Sequence, residues 1–503
     1  MDKNIKSDVI ISYISMVVSI ILTFFLTKVE VEYLGKDTFG ILGLVNSTIG
    51  YISILELGVG QTVIKYIAQY KAKKEYDEIN KLAGHSLKIY IIISCIGLVL
   101  GLVILMNSGN IFLSLRSEDI SIFNICFFIS LINILLQIPA TTFQSVLSAY
   151  NRFKFIKILN LIRTVARFFL IFVFLKLGFG IVSVFIVTFV LMQLSNISMY
   201  FYSKKYLNLK ISFKKIDKNI KKELSSYSFF VFLFLITDQI FWKTDSIVLG
   251  IISTTSVVAV YSISGQIVMQ LRQLSATFSS VFLPRIIQQL EKDKDFNEIN
   301  KFYTKASKYQ YIIISLIVVS YALLGKEFIT LWVGEGFINS YYYSMLIIIA
   351  TIIPMSQTTN YQIMYAMSKH KLRSVVFLIS AVLNIILSIV LYYVYGAIGV
   401  ALATALAMII SDNVFMNLYY KYISKISLFK FFKEAFLKTT IVNIILIIIY
   451  MILNNWLSNN SWITFMIKGL LGCVSFLFLV FIIVLDNSEK EIVKSGVKKF
   501  IKK

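Results

Sequence analysis

Fourteen apolar runs of about 20 residues each follow one another along this chain of 503 residues. As an α-helix, a run of that length crosses the hydrocarbon core of a bilayer, where only helices and closed barrels satisfy their backbone polar groups. The runs are 9–27, 38–59, 87–106, 120–145, 159–176, 181–202, 225–250, 256–283, 309–325, 341–365, 374–395, 397–420, 437–455 and 463–485. The sequence therefore predicts an all-α polytopic membrane protein with about 14 transmembrane helices.

Composition narrows the class of protein further. Apolar residues make up 58% of the chain and charged residues 15%, which is too apolar for a soluble fold of this size. Soluble enzymes, disulfide scaffolds, nucleic-acid binders and single-span receptors are thereby excluded. The cysteines (Cys95, Cys126, Cys473) lie in separate apolar runs and the histidines (His85, His370) beside basic loop residues, so neither a metal site nor a cofactor is predicted.

The net charge of +23 is unevenly distributed along the chain. If the N-terminus is cytoplasmic, the inside segments hold 39 of the 49 basic residues. The outside segments hold Lys28, Lys36, Arg116, Lys176 and Lys326. The positive-inside rule then predicts a multi-pass protein of the plasma or inner membrane with both termini in the cytoplasm. Most of the excess charge is assigned to topology and to attraction by anionic membrane lipids, not to nucleic acid.

A weak internal repeat recurs at an offset of about 215 to 220 residues. The matches are Lys28-Val-Glu30 with Lys243-Thr-Asp245, Glu78–Lys81 with Glu298–Lys301, Pro139 with Pro354, and Gly178 and Gly180 with Gly396 and Gly399. The offset contains six runs, so both copies enter the membrane in the same direction. We expect an N-terminal six-helix lobe with a cytoplasmic linker (1–224), a C-terminal six-helix lobe (225–436), and two extra helices with a basic cytoplasmic tail (437–503).

Three charged residues lie in the seventh run: Asp238, Lys243 and Asp245. Ionisable side chains at membrane depth are costly and usually face a cavity or a partner. Lys243 and Asp245 recur one repeat earlier as Lys28 and Glu30, so both pairs fit either ion pairs near the outer surface or a cavity or gate role. Asp238 lies nearer mid-membrane, and a functional role is predicted for it.

The eighth run carries a polar stripe at helical spacing. Its members are Ser262, Gln266, Gln270, Gln273 and Thr277. Such a stripe would be expensive in lipid, so it is predicted to face a wet interior. Arg272 stands beside the stripe and is the leading candidate for contact with an anionic substrate, because a guanidinium fork suits phosphate oxygens. The alternative is a salt bridge from Arg272 to Asp238 or Glu56.

Other polar positions complete the set of candidates. Arg163 and Arg167 stand one turn apart near the inner end of the fifth run, where they either gather a phosphate from the cytoplasmic leaflet or snorkel to the interface. Glu56 and Asp412, with Lys28 and Glu30, are candidates for a gate or for ion coupling. Pro139 and Pro354 interrupt their runs and are hinge candidates, because proline frees a carbonyl in the preceding turn.

The stretch from Tyr33 to Tyr70 reads YLGKDTFGILGLVNSTIGYISILELGVGQTVIKYIAQY. Its LG-x3-FG start, its LELG-x-G turn and the basic amphipathic helix that follows resemble the polysaccharide-transport family of flippases, which includes O-antigen and capsule flippases. The DQIFWKTDSIVLG run and the doubled six-span layout extend the resemblance over essentially the whole chain. The family belongs to the multidrug/oligosaccharidyl-lipid/polysaccharide flippase superfamily.

The resemblance implies a flippase that moves a polyprenyl-diphosphate-linked oligosaccharide from the cytoplasmic to the outer leaflet by alternating access. It also implies a polysaccharide polymerase or other export proteins as partners. Because the sequence has no GxxxxGK[ST] loop, we expect a transporter without its own motor and not an enzyme. The alternatives are a Na⁺- or H⁺-coupled multidrug exporter, in which Asp238, Glu56 or Asp412 binds the ion or the drug, and a scaffold for a polymer-synthesis complex.

Overall fold

A computed structural model of the chain describes residues 3–56, 59–113, 115–217, 236–280, 296–366, 371–423, 431–457 and 461–501. Every regular element within these ranges is helical, as the sequence predicts, and none of the described residues forms a strand. The chain packs as two compact units, Met1–Ser262 and Ile263–Lys503. The predicted lobe boundary at 224/225 falls outside the described residues and stays a prediction.

The first unit contains helices α1 to α7. They are α1 (Lys3–Ser53), α2 (Val59–Lys73), α3 (Tyr76–Ile111), α4 (Ser117–Ala149), α5 (Phe153–Lys176), α6 (Gly180–Tyr206) and α7, whose described part is 236–252. Helix α1 covers the first two predicted spans and kinks at Gly35, where φ is 75° and only glycine is unstrained. The short amphipathic α2 packs with α3 and α4 around Val63, Tyr90 and Val146.

The second unit begins within α8 and continues to α17. Its helices are α8 (Thr255–Ser280), α9 (Phe296–Val333), α10 (Asn339–Ser356), α11 (Thr358–Ala366), α12 (Lys371–Tyr395), α13 (Ala397–Met408), α14 (Asn417–Ile423), α15 (Lys438–Trp456), α16 (Trp462–Leu479) and α17 (Asn487–Ile501). Between α13 and α14 the helix widens into a π-helical segment, Ile409–Met416. A second π-helical segment, Val480–Val484, ends the span of α16.

Ten helical stretches in the described part of the chain are long and apolar enough to cross a bilayer. Their packing is that of membrane helices. On α3, Val99 and Met106 are 61% and 84% exposed, whereas Gly97 and Gly101 are buried. A Cβ at Gly101 would lie 2.4 Å from the side chain of Leu131 on α4, so the small residue permits close helix contact. The count of fourteen spans stays a prediction.

Glycines with a left-handed backbone lie where α6 and α13 begin. Gly180, the first residue of α6, and Gly396, the residue before α13, both have φ of 68°. Glycine adopts this φ without strain. The internal repeat, which pairs Gly178 and Gly180 with Gly396 and Gly399, stays a prediction.

The C-terminal helices α15 and α16 pack against α9. Tyr450 of α15 is fully buried and its hydroxyl lies 2.9 Å from that of Ser320 on α9. Near one end of α9, the Lys468 ammonium of α16 donates to Glu327 at 2.9 Å, with both side chains largely buried. At the other end, Lys308 of α9 donates to Glu489 of α17 at 2.7 Å.

The spacing of these two ion pairs matches the membrane. Lys308 and Glu327 are 19 residues apart on α9, which is about 28 Å of helix at about 1.5 Å per residue. The hydrocarbon core of a bilayer is about 30 Å thick. The ion pairs therefore attach the C-terminal helices to α9 at points one membrane core apart.

We predict that Lys468→Met alone destabilises the protein by about 3 to 5 kcal/mol, because it leaves the buried Glu327 carboxylate unpaired. The double variant Lys468→Met/Glu327→Leu should recover most of that loss, since no charge is then left buried. Thermal unfolding in detergent measures both. A double variant no more stable than Lys468→Met would contradict the role given to this pair.

The Lys308–Glu489 pair predicts a pH-dependent attachment of α17. Burial raises the pKa of Glu489, but hydrogen bonds from Lys308, the Asp486 backbone N–H and the Tyr309 hydroxyl outweigh it and hold the pKa below the ordinary 4.5. A carboxyl with a lowered folded-state pKa contributes its stability above that ordinary value and loses it as the pH falls through the lower one.

A nitroxide on Val493→Cys, with the native cysteines replaced by serine, should therefore be immobile at pH 7 and gain mobility below about pH 4.5 in electron paramagnetic resonance spectra. In the Glu489→Gln background it should be mobile across the whole range. Equal mobility at pH 7 with and without Glu489→Gln would show that the pair does not hold α17.

Candidate functional site

A cavity of about 270 Å³ lies between α1, α5 and α6 of the first unit. Two guanidinium groups line it, those of Arg163 and Arg167. Four hydroxyl-bearing side chains line it as well: Ser19, Thr23, Thr164 and Thr188. The structure thus brings the two arginines of the fifth predicted span to one polar cavity.

Helix α5 begins at Phe153, six residues before the predicted span 159–176, so Arg163 and Arg167 lie in the middle of the helix. Their depth in the membrane stays a prediction. Each is at least about 13 Å from either helix end at about 1.5 Å per residue. An arginine at the centre of a membrane helix costs about 2.5 to 3.5 kcal/mol on insertion scales. A side chain retained at such a cost usually faces a cavity or a partner, as these two do.

The polar contacts of the two guanidinium groups are few. Arg167 Nε donates to Thr188 Oγ1 at 3.2 Å, and Arg167 Nη2 lies 3.8 Å from Glu30 Oε1. Glu30 is 5% exposed, and its Oε1 has no hydrogen-bond partner among the described residues. Arg163 Nη1 contacts the thioether sulfur of Met192 at 2.8 Å. The predicted gate residue Glu30 is therefore an ionic neighbour of Arg167.

A second cavity, of about 200 Å³, adjoins the first. Arg167 and Thr188 line both cavities. The second is lined in addition by amide side chains: Asn46, Asn133 and Gln137. Gln193 Nε2 donates to Asn133 Oδ1 at 2.8 Å and links α6 to α4. Neither cavity has a carboxylate among its described lining residues.

The charged residues of α7 lie against other polar groups of the first unit. Asp245 is 4% exposed and accepts a hydrogen bond from the Tyr261 hydroxyl. Lys243 is half-buried and interacts electrostatically with Asp238. Lys28 on α1 is also half-buried. The ion pairs near the outer surface and the gate role that the sequence offers for Lys243 and Asp245 both stay predictions.

The polar stripe on α8 is accessible along part of its length. Gln266 and Gln270 are half-buried, and Gln273 is exposed. Arg272 is half-buried, and its Nη1 lies 3.4 Å from the sulfur of Met269. The stripe is therefore not part of a packed core.

A charged cluster in the second unit contains Arg272 and Asp412. Asp412 lies in the π-helical segment Ile409–Met416, is 7% exposed and accepts from the Tyr361 hydroxyl at 3.0 Å. The guanidinium carbon of Arg373 lies 3.7 Å from the centre of the Tyr361 ring. Both Arg373 and Arg272 interact electrostatically with Asp412.

Sequence reasoning missed Arg373. It directly precedes the predicted span 374–395 and was counted with the loop charges, whereas α12 begins at Lys371. The sequence does place Arg373 four residues before Phe377, a spacing that brings side chains together on one helix face. The guanidinium carbon of Arg373 lies 4.9 Å from the centre of the Phe377 ring. The remaining candidate, Glu56, is half-buried in a short turn, Ile54–Glu56, near Tyr90.

Pro139 and Pro354, which the repeat predicts to be equivalent, each free a carbonyl that has another partner. Helix α4 continues through Pro139, and the carbonyl of Leu135 four residues earlier accepts from Ser94 Oγ at 2.9 Å. Helix α10 ends two residues after Pro354, and the carbonyl of Ala350 accepts from Asn413 Nδ2 at 2.7 Å. Each carbonyl is thus satisfied by a neighbouring helix, as the membrane requires.

The fold is that of lipid flippases and multidrug transporters. The inward closed structure of the lipid II flippase MurJ matches with a TM-score of 0.75 and 18% identity, over 94% of this chain and 97% of that one. An inward-facing multidrug resistance MATE family transporter of the MOP superfamily matches with a TM-score of 0.67 and 16% identity, over 80% of this chain and 94% of that one. The predicted all-α polytopic fold is thereby confirmed.

The chain belongs to the family described as polysaccharide biosynthesis protein, which matches residues 4–290, more than half of its length. It is 21% identical over 389 residues to a putative O-antigen transporter of Shigella flexneri, covering 77% of this chain and 90% of that protein. It is also 21% identical over 437 residues to the uncharacterized membrane protein EpsK of Bacillus subtilis, covering 84% and 83%. The protein is a multi-pass membrane protein of this family.

We predict that Asn413→Leu destabilises the protein by about 1 to 3 kcal/mol, because it removes the donor to the Ala350 carbonyl that Pro354 leaves free. Asn107→Leu is the matched control, since Asn107 is exposed and bonds only within its own helix turn, to the Val103 carbonyl. Thermal unfolding in detergent compares the two. Equal midpoints for both variants would contradict the contact.

Proposed function

We propose that the protein is a flippase that moves a polyprenyl-diphosphate-linked oligosaccharide from the cytoplasmic to the outer leaflet by alternating access. The observation that carries the proposal is the accessible polar stripe of α8 with the half-buried Arg272 beside it. Membership of the polysaccharide biosynthesis family and the likeness to an O-antigen transporter and to a lipid II flippase support it.

The chemistry of the stripe fits this cargo. A diphosphate leaving the headgroup region loses its hydration, and a guanidinium fork replaces water with two parallel charge-assisted hydrogen bonds. The amides of Gln266, Gln270 and Gln273 provide both donors and acceptors, which suit sugar hydroxyls. Asp412 and Tyr361 hold the Arg272 region in a charged cluster, so that the guanidinium is stabilised when no cargo is bound.

The other candidate residues receive roles in the same cycle. Asp238, Lys243 and Asp245 on α7, with Lys28 and Glu30 on α1, are proposed as a gate whose ion pairs rearrange when access alternates. Glu56 and Asp412 are proposed as ion-coupling groups. Pro139 and Pro354 are proposed as hinges, at which a helix bends while a side chain of a neighbouring segment donates to the freed carbonyl.

The proposal includes topology and partners. Both termini are placed in the cytoplasm of a cell with an anionic inner leaflet, because the basic residues concentrate in alternate loops. The lipid-linked oligosaccharide is the cargo, and a polysaccharide polymerase or other export proteins receive it. No chemical conversion of the cargo is required, so the protein acts as a transporter.

The second candidate is an ion-coupled multidrug exporter. The buried Asp412 in a π-helical segment favours it, because such segments often mark functional sites and a carboxylate suits a cation. The likeness to multidrug transporters is compatible with it. The two candidates differ in the charge of the cargo, which makes them separable by experiment.

We predict that Arg272→Gln reduces flipping of a defined lipid-linked oligosaccharide in liposomes by roughly tenfold to a hundredfold, because a charge-assisted contact to phosphate is lost. Lys157→Gln is the matched control, since it removes one positive charge from an exposed position on α5. Size-exclusion profiles confirm that both variants are folded.

The same liposomes, loaded with a cationic dye, test the second candidate. Flipping without dye efflux supports the flippase. Dye efflux without lipid flipping overturns it in favour of the exporter. Normal flipping by Arg272→Gln overturns the role given to that arginine. The class of cargo is then decided by the wild-type protein, according to whether it moves the lipid or the dye.

A further inference from the structure

The cavity between α1, α5 and α6 has the features of a site for a small anion. Arg163 and Arg167 both line it at mid-helix depth. A guanidinium carries five N–H donors and no acceptor. Arg167 gives one of its donors to Thr188, and among the described residues Arg163 donates to the Met192 thioether, a weak acceptor. Most of the donor capacity at this cavity is therefore left for a ligand.

The neighbouring carboxylate neutralises the cavity only in part. Glu30 lies 3.8 Å from Arg167 Nη2, which is within ionic range but beyond a hydrogen bond. Two guanidinium groups and one carboxylate leave one positive charge in excess. The hydroxyl of Thr188 donates to the Val184 carbonyl at 2.7 Å, so its oxygen remains the acceptor for Arg167 and fixes the direction of the fork. An anion entering the cavity would meet positioned donors and a net attraction.

The size of the cavity limits the ligand. Its volume of about 270 Å³ equals about nine water molecules at about 30 Å³ each. That space accommodates one phosphate group with a few attached atoms, and it does not accommodate an oligosaccharide of tens of non-hydrogen atoms. Tetrahedral phosphate oxygens match the bidentate geometry of arginine.

The surroundings indicate a route of entry. Residues adjacent to the lining side chains on α1 and α5 are large, apolar and exposed, namely Ile21 (49%), Phe25 (58%) and Phe169 (58%). Exposed apolar side chains on a membrane helix suit contact with lipid hydrocarbon. A cavity beside them suits a headgroup that enters sideways while its hydrocarbon chain stays in the bilayer.

We propose that this cavity binds one phosphate group, held by Arg163 and Arg167. The source is either the phosphate of an isoprenoid lipid or a free inorganic anion. The lipid source rests on the proposed function, whereas the free anion does not. Glu30 competes with the ligand for Arg167, so the affinity for phosphate depends on the charge of the Glu30 carboxylate.

The test measures binding to the purified full-length protein by isothermal titration calorimetry. The probes are inorganic phosphate, farnesyl phosphate and the uncharged farnesol. Much tighter binding of farnesyl phosphate than of inorganic phosphate identifies a lipid headgroup, and similar affinities identify a free anion. Both outcomes support the site. Equal binding of farnesol and farnesyl phosphate overturns it, because the phosphate group would then contribute nothing.

Three variants and a control separate binding from folding. Arg163→Gln and Arg167→Gln should each weaken phosphate binding roughly tenfold to a hundredfold. Glu30→Gln should strengthen it, because the competing carboxylate is removed. Lys157→Gln, an exposed charge on the same helix, should leave it unchanged. If the Arg167–Glu30 ion pair is only structural, both Arg167→Gln and Glu30→Gln lower the melting temperature and neither changes the affinity for phosphate. That result overturns the proposal.

If Arg167→Gln fails to fold, Arg167→Lys replaces it, and an intermediate affinity is expected because the charge remains without the fork. Failure of this inference is distinguishable from failure of the proposed function. Normal flipping by a protein that binds no phosphate overturns the inference alone. Phosphate binding by a protein that flips no lipid overturns the proposed function alone.

Discussion

The absence of water in the hydrocarbon core is the constraint on which this structure depends. Any backbone carbonyl that loses its helical partner must find another within the protein. The two prolines show how the chain meets this requirement, with Ser94 donating to the Leu135 carbonyl and Asn413 donating to the Ala350 carbonyl. Both donors are side chains of neighbouring helical segments, and a hinge role for the prolines is compatible with these contacts.

The absence of water in the hydrocarbon core also limits where charged side chains can lie. A buried charge in this environment needs a counter-charge, a hydrogen-bond partner or a ligand. Lys468 has Glu327 at hydrogen-bond distance, and Asp245 has the Tyr261 hydroxyl. Arg163 has a thioether sulfur. This difference in the quality of partners, more than the number of charges, distinguishes residues that hold helices together from residues that suit a ligand.

Sequence periodicity was sufficient for the fold class because a run of about 20 apolar residues has one stable form in a bilayer. It was insufficient for the site, because contacts between helices depend on helix ends that apolar runs do not define. The start of α5 at Phe153 adds six helical residues before the predicted span, so Arg163 and Arg167 lie at mid-helix. The start of α12 at Lys371 turned Arg373 from a loop charge into a neighbour of Tyr361. Pairing of Lys468 with Glu327, 141 residues apart, follows from no local pattern.

The two ion pairs on α9 have a consequence for the surrounding lipid. Lys308 and Glu327 lie about 28 Å apart along α9. Lys308 is paired with Glu489 of α17, and Glu327 is paired with Lys468 of α16. A bilayer thinner or thicker than this distance strains one end of the assembly, or tilts it, at a cost for each ångström of mismatch. The stability of the contacts between α9 and the C-terminal helices therefore depends on the thickness of the bilayer, and through it on the lipid composition around the protein.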